Sequence, residues 1–367
     1  MSDFDFTYQT MLTCLGNKRK LVDHICRLVQ QTRTTPLCIM DGFTGSGVVA
    51  RALAPISHTL ITCDLEEYAH IMSRCFLETP TMTHRERIAI HIAAMNRLAE
   101  EGPFVSDGII SRLYAPAETD NIKEGERCFY TRENAVIIDT MRRYIADQVE
   151  VELQHYCLAP LLIKASIHTN TAGVFKGFYK AGKVGCFGGA GRNALSRIMK
   201  PIRVDMPVWS QRAFKAECHC GDLNRVLLQK KQQNIDVLYL DPPYNQHPYG
   251  SNYFMLNVIA KNEEPAAISR VSGIPAHWNK SAYNGRATAI TAMEELLRLG
   301  TECATHVILS YNDEGIILPE DWSRLFEPYL VEKHEILYDT YKGSRNLRAR
   351  DNKVVEIMWV ITKKTGV

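Results

Sequence analysis

The chain has 367 residues, 46% of them hydrophobic and 23% charged, which suits one large domain with an insertion or two domains. A formal net charge of +2 excludes a globally basic protein, so any nucleic-acid site has to arise from local clustering. Eleven cysteines without a Cys-x-x-Cys pair exclude a zinc-ribbon framework; Cys218-His219-Cys220 lacks the spacing of a metal site, and reduced, mostly buried thiols in a cytosolic protein are expected. Neither a signal peptide nor a membrane-length apolar run is read from the sequence.

In chain order, Leu15-Gly16-Asn17-Lys18-Arg19-Lys20-Leu21 forms a basic turn. It leads into an amphipathic helix with Leu21, Ile25, Leu28 and Val29 on one face. Leu37-Cys38-Ile39-Met40 reads as a buried strand. Asp41-Gly42-Phe43-Thr44-Gly45-Ser46-Gly47 follows, and Val48 to Leu53 opens a helix. A strand, a glycine-rich turn and a helix make a nucleotide-binding βα unit, because glycines let the backbone approach a ligand closely. The spacing departs from Gly-x-Gly-x-x-Gly, and no Gly-Lys-Ser/Thr is present, so a phosphate-cradling loop is not expected. Leu60 to Cys63 is a second strand ending in Asp64-Leu65-Glu66. An acid there, about 20 residues past the glycines, suits a ribose diol; it also suits a helix N-cap.

The βα rhythm breaks from about residue 77 to about 213. Helical text runs over Arg85 to Glu101, Glu133 to Tyr156 and Leu158 to Ile167. A glycine-rich, basic and aromatic stretch follows, containing Asn170, Lys176, Lys180, Lys183 and Arg192, with no Asp or Glu between 164 and 203. Such text is either a solvated loop or a surface for phosphates and base edges. The sheet pattern returns near Cys218, and Gly221-Asp222-Leu223 precedes a helical run in which Asp222 could serve as N-cap.

Val237-Leu238-Tyr239-Leu240 then reads as a buried strand stopped by Asp241-Pro242-Pro243-Tyr244, since two prolines cannot donate to a ladder. An acid, a stiff turn and an aromatic ring are thereby held at the carboxyl end of a strand, where open α/β sheets bind ligands. Asn245, Tyr249, Asn252 and Tyr253 follow in a polar-aromatic loop, and Lys280-Ser281 lies in a second polar, positive segment. His306 to Tyr311 is a further strand. Glu335 to Tyr338 and Val354 to Thr362 form a terminal hairpin around Gly343-Ser344-Arg345-Asn346.

Asp241-Pro242-Pro243-Tyr244 resembles the (Asp/Asn/Ser)-Pro-Pro-(Tyr/Phe) motif of methyltransferases acting on exocyclic amines of bases. Phe43-x-Gly45-x-Gly47 resembles the Phe-x-Gly-x-Gly signature of S-adenosylmethionine-dependent methyltransferases. Gly16-Asn17-Lys18 is similar to the amino-terminal lysine loop of the Dam-like class of adenine-specific DNA methyltransferases, although Cys14 and Leu15 stand where an aromatic is common. The resemblance covers residues 11–76 and 215–362. It implies an α/β, Rossmann-like fold, with a mixed seven-stranded sheet and an inserted, largely helical target-recognition domain. The catalytic domain would comprise 1–76 and 214–367 and the insertion 77–213.

The resemblance also implies site roles. Asp241, Pro242, Pro243 and Tyr244 would be catalytic, with no metal required. S-adenosylmethionine would be held by Lys18, at the methionine end, with Asp41, Phe43, Gly45, Gly47, Asp64 and Leu65, and with Asp222 and Leu223 at the adenine. DNA would meet Asn170, Lys176, Lys180, Lys183, Arg192, Asn245, Tyr249, Asn252, Tyr253, Lys280 and Ser281. The implied partners are double-stranded DNA and a cognate restriction endonuclease, for a monomer or weak homodimer in the cytoplasm, with no membrane. Methylation of cytosine or of adenine in RNA, and a catalytically silent DNA-binding module, remain alternatives at this stage.

Overall fold

The computed structural model describes residues 3–9, 11–12, 14, 16–32, 36–339 and 353–364. Leu15 and the Gly343-Ser344-Arg345-Asn346 turn lie outside the described residues. By internal packing the chain divides into two units: 1–17, 74–209 and 249–279 in the first, and 18–73, 210–248 and 280–367 in the second.

The second unit is built on one sheet. Its strands are β1 (Leu37–Asp41), β2 (Ser57–Asp64), β3 (Lys215–Cys220), β4 (Ile235–Leu240), β5 (Ala304–Asn312), β6 (Tyr329–Asp339) and β7 (Lys353–Lys363). The spatial order is β3-β2-β1-β4-β5-β7-β6. Pairs from β3 through β5 are parallel, whereas β7 runs antiparallel to both β5 and β6. This is the mixed seven-stranded sheet that the family resemblance implies.

Every residue of β1 is buried, as expected of a parallel strand covered on both faces. One covering layer is formed by helices Leu223–Gln229 and Ala289–Cys303. Their Leu223, Leu227, Met293 and Leu296 share a core with Met40, Ile61, Leu238 and Leu309. The helix Val22–Thr32 buries Val22, Ile25, Leu28 and Val29, the stripe read from its period. At the sheet's edge, β3 is mostly half-exposed and polar, which is why only its end was legible as strand.

The first unit is largely helical: Met82–Glu101, Ile109–Leu113, Arg132–Gln148, Gln154–Ile167, Leu195–Met199 and Phe254–Lys261. Thr81 and Thr131 cap two of these, each accepting the amide three residues on. The helical text over Glu133 to Tyr156 is in fact broken: Val149 turns extended after Gln148, and a new helix starts at Gln154. The Tyr249 to Tyr253 stretch, read as loop, holds the short helix Tyr249–Asn252. Tyr114, Phe129, Phe175, Tyr253 and Phe254 form an aromatic core, all almost fully buried.

No described helix is long and apolar enough to cross a membrane.

Candidate active site

The parallel strands of the second unit end together, and the sequence motifs lie at those ends. After β1 the chain enters a turn that needs left-handed backbone: Gly45 has φ +53° and Gly47 φ +80°. A Cβ at Gly47 would meet nothing within 4 Å, so its open side is available to a ligand. The turn is laced to the end of β2. The Thr44 amide and hydroxyl donate to the Cys63 carbonyl, and the Gly45 amide donates to Asp64 Oδ2 at 2.7 Å. Asp64 Oδ1 accepts the Glu66 amide at 2.9 Å. The Leu65 amide also meets this carboxylate, whose roughly four lone-pair sites leave capacity for a hydroxyl donor. The end of β3 joins the same corner, since the Gly221 amide donates to the Asp64 carbonyl at 2.8 Å. Asp222 follows, exposed, capping its helix through the Arg225 amide at 3.2 Å; capping uses one carboxylate oxygen only.

Phe43 is half-buried and meets Tyr283 edge-on, with ring centroids 5.3 Å apart. The Tyr283 hydroxyl donates to Asn224 Oδ1 at 2.8 Å. Leu223 faces the core, where a Cβ at Gly42 would come within 2.7 Å of its Cδ2. Leu65 is half-buried at the end of β2.

Asp41, 1% exposed, has both carboxylate oxygens buried without a well-directed hydrogen bond. Burial, with Asp241 and Asp64 nearby, pushes its carboxyl up to about 8, although the amides of Phe43 and Ala50 oppose the shift. A buried acceptor left in this state fits a cationic or donor-bearing ligand. Glycines open to a ligand, Asp64 and Asp222 with unused lone pairs, and the orphaned Asp41 together suit S-adenosylmethionine, which carries an ammonium, a ribose diol and an adenine amine.

Asp241 leaves β4 beside this turn. Lys18 Nζ lies 2.9 Å from Asp241 Oδ1 and 2.8 Å from Glu356 Oε1. Lys18 is therefore an internal cation, 4% exposed, between two carboxylates. Burial opposes its charge, but Asp241 and Glu356 outweigh that and hold it well above the ordinary lysine range. Burial pushes Asp241 up to about 6; the Lys18 charge pulls it down and Glu356 pushes it further up. The sequence resemblance put Lys18 at the cofactor's methionine end; in the structure its ammonium binds the Asp241 carboxylate. Glu356 was missed. Its signal was an acid inside the apolar run Val354 to Ile361, since a buried acid demands a partner.

Tyr244 is half-buried. Its ring meets Tyr311 edge-on at 6.0 Å and has the Lys18 ammonium 5.6 Å from its centroid. The Tyr244 carbonyl accepts the Ile316 amide at 2.9 Å, so the turn after the prolines is pinned. The Asn245 carbonyl accepts Asn284 Nδ2 at 2.7 Å, and Ser281 caps the short turn Ala282–Asn284 after the exposed Lys280.

The remaining sequence candidates fall in the first unit. Lys176, Lys180, Lys183 and Arg192 are exposed, with Lys180 Nζ 4.9 Å from the Phe178 ring centroid. Asn170 is fully buried. Its Nδ2 donates to the Cys128 carbonyl at 2.8 Å and its Oδ1 accepts the Gly188 amide at 2.9 Å, so this amide braces the glycine-rich loop from inside. Asn252 and Tyr253 are likewise buried, and the Asn252 carbonyl accepts the Phe175 amide at 2.7 Å. Tyr249 stacks on Tyr253 at 5.8 Å.

A model of the family described as D12 class N6 adenine-specific DNA methyltransferase matches residues 15–298. The chain is similar to the type II methyltransferase M.NlaIII of Neisseria lactamica, with 24% identity over 333 residues, 88% of this chain and 90% of that protein. It is 25% identical to the type II methyltransferase M.CviAII of Paramecium bursaria Chlorella virus 1, covering 95% of this chain and 97% of the relative. The modification methylase StsI of Streptococcus sanguinis is 24% identical over 95% of this chain, which spans 52% of that protein. Sheet order, motifs and family match agree: the chain belongs to the D12 class of N6 adenine-specific DNA methyltransferases and uses S-adenosylmethionine to methylate adenine in DNA.

Proposed function

We propose that methyl transfer occurs at Asp241-Pro242-Pro243-Tyr244, on an adenine turned out of the duplex. The observation that carries this reading is the pinned Asp241 carboxylate at the end of β4, beside the glycine turn after β1. Adenine N6 is a poor nucleophile because its lone pair is delocalised into the ring. Asp241 and the Pro242 carbonyl accept its two hydrogens and favour a pyramidal nitrogen with its lone pair freed. S-adenosylmethionine supplies an electrophilic methyl on sulfonium sulfur. Orientation provides much of the acceleration and fixed dipoles provide more. Tyr244 stacks on the displaced base, which must leave the helix to reach a pocket of this kind. Asp241 takes the proton that the nitrogen sheds after transfer and passes it to solvent.

Asp41, Phe43, Gly45, Gly47, Asp64, Leu65 and Asp222 hold the cofactor in this reading, and Leu223 backs the turn from the core. Lys176, Lys180, Lys183 and Arg192 meet DNA phosphates. Asn245, Lys280 and Ser281 of the second unit and Tyr249 of the first meet DNA, while Asn170, Asn252 and Tyr253 brace the first unit from inside. Residues 77–213 serve target recognition. The relatives named as type II methyltransferases and modification methylases favour a restriction endonuclease of matching specificity as functional partner. The test is nucleoside mass spectrometry of unmethylated phage DNA after incubation with enzyme and methyl donor. N6-methyladenine that vanishes with Asp241→Asn is expected; N4-methylcytosine would assign the pocket to the other base.

A further inference from the structure

We propose that Glu356, on β7, is a positioning residue for methyl transfer, which anchors the buried Lys18 ammonium and shares its charge with Asp241. The inference rests on the reading of Asp241 as acceptor of the target amine. Glu356 lies beyond the residues the family model matches.

A buried ammonium beside one carboxylate would already be compensated. Lys18 has two, at 2.9 and 2.8 Å. Glu356 is fully buried, and Ser310 on β5 donates its hydroxyl to Glu356 Oε1 at 2.5 Å. The antiparallel register sets this up: Asn312 lies opposite Glu356 and Ser310 opposite Met358, so Ser310 and Glu356 are diagonal neighbours. Oε1 is thus fixed by a hydroxyl and an ammonium together, and the ammonium is fixed against Asp241 Oδ1.

The second carboxylate has a chemical consequence. A cation spent wholly on Asp241 would make it a weak acceptor, because a nearby positive charge lowers carboxylate basicity. A cation divided with Glu356 orients Asp241 while leaving it basic, and hydrogen-bond acceptance from an amine needs that basicity. Asp241 is faced by Lys18 before the first helix of the second unit, Glu356 on β7, Tyr239 on β4 and Asp41 on β1, and Tyr244 lies against the Lys18 ammonium. Glu356 carries a charge that acts on both members of the Lys18–Asp241 pair.

The experiment is single-turnover transfer of a tritiated methyl group to unmethylated phage DNA between about pH 5 and about pH 9, with donor affinity and melting temperature measured alongside. Glu356→Gln is expected to keep donor affinity, to move the acid limb down by about one pH unit, and to lower the plateau roughly tenfold. Lys18→Met is expected to move the limb up. Because Glu356 works through Lys18, the double variant Lys18→Met/Glu356→Gln is expected to be no slower than Lys18→Met. The double variant leaves Asp241 as one carboxylate without the Lys18 cation, where Lys18→Met leaves both Asp241 and Glu356, so the comparison of these two decides the matter if Glu356→Gln fails to fold. An unmoved acid limb in Glu356→Gln, or additive losses in the double variant, would overturn the inference while Asp241→Asn remains inactive. Full activity of Asp241→Asn would overturn the acceptor reading and this inference with it.

Discussion

Asp64 closes the glycine turn by accepting the amide of Gly45 at 2.7 Å. The same carboxylate thus shapes the loop and presents its remaining lone pairs at the end of β2. Burial raises its carboxyl, while the amides of Glu66 and Gly45 pull the other way. Asp64→Ala is expected to weaken S-adenosylmethionine binding by about 1–3 kcal/mol, the cost of stranding hydrogen-bonding partners. Calorimetry checks this; an unchanged affinity would remove Asp64 from the cofactor site.

The Asp241 carboxyl, pushed up to about 6 chiefly by burial, gives the enzyme a pH signature. Methyl transfer needs the carboxylate, so the single-turnover rate is expected to rise with pH through about 6 and level above it. Stability runs the other way. Asp241 holds its proton more tightly folded than unfolded, so its contribution is fully present below its ordinary value of 3.8 and lost as pH rises through about 6. A rate that does not change across that window would count against Asp241 as the titrating acceptor.

Lys176, Lys180 and Lys183 are exposed in a stretch without acidic residues. Replacing all three by Gln is expected to weaken DNA binding and to flatten the plot of log affinity against log salt by about 2 to 3 units, close to 0.9 per phosphate contact. Transfer to a base already unstacked in a short oligonucleotide should suffer less. A salt slope equal to wild type would leave these lysines a role in solubility only.

Tyr244 is braced edge-on by Tyr311, which orients its ring. Tyr244→Ala is expected to lose about 1–3 kcal/mol of base stacking, read as weaker productive DNA binding at unchanged cofactor affinity. Tyr244→Phe keeps the ring face and should be mild. A Phe variant as impaired as the Ala variant would shift the role from ring to hydroxyl.

What was legible in the sequence was local. The turn after β1, the acid after β2 and the prolines after β4 each declare a strand end within a few residues, and parallel strands gather such ends at one edge. The Lys18–Glu356 pair was illegible because its members stand near opposite ends of the chain and meet only in the folded structure. Asn170 read as a base contact because its neighbours are basic and aromatic. Its burial follows from the backbone groups of Cys128 and Gly188, whose partner it supplies in a loop with little ladder of its own. Val149 hid the helix break, since an apolar residue continues the pattern while its backbone turns extended.

The central claim is that the Asp241 carboxylate positions and polarises the target amine. Asp241→Asn keeps the size and one acceptor oxygen but removes the charge that Lys18 and the amine both meet. The most direct measurement is single-turnover methyl transfer by this variant, with cofactor and DNA binding measured separately. The account predicts near wild-type cofactor binding and a transfer rate lower by at least ~100-fold, the usual cost of one lost preorganised electrostatic contact. Transfer at the wild-type rate would contradict it and reduce Asp241-Pro242-Pro243-Tyr244 to the end of a strand.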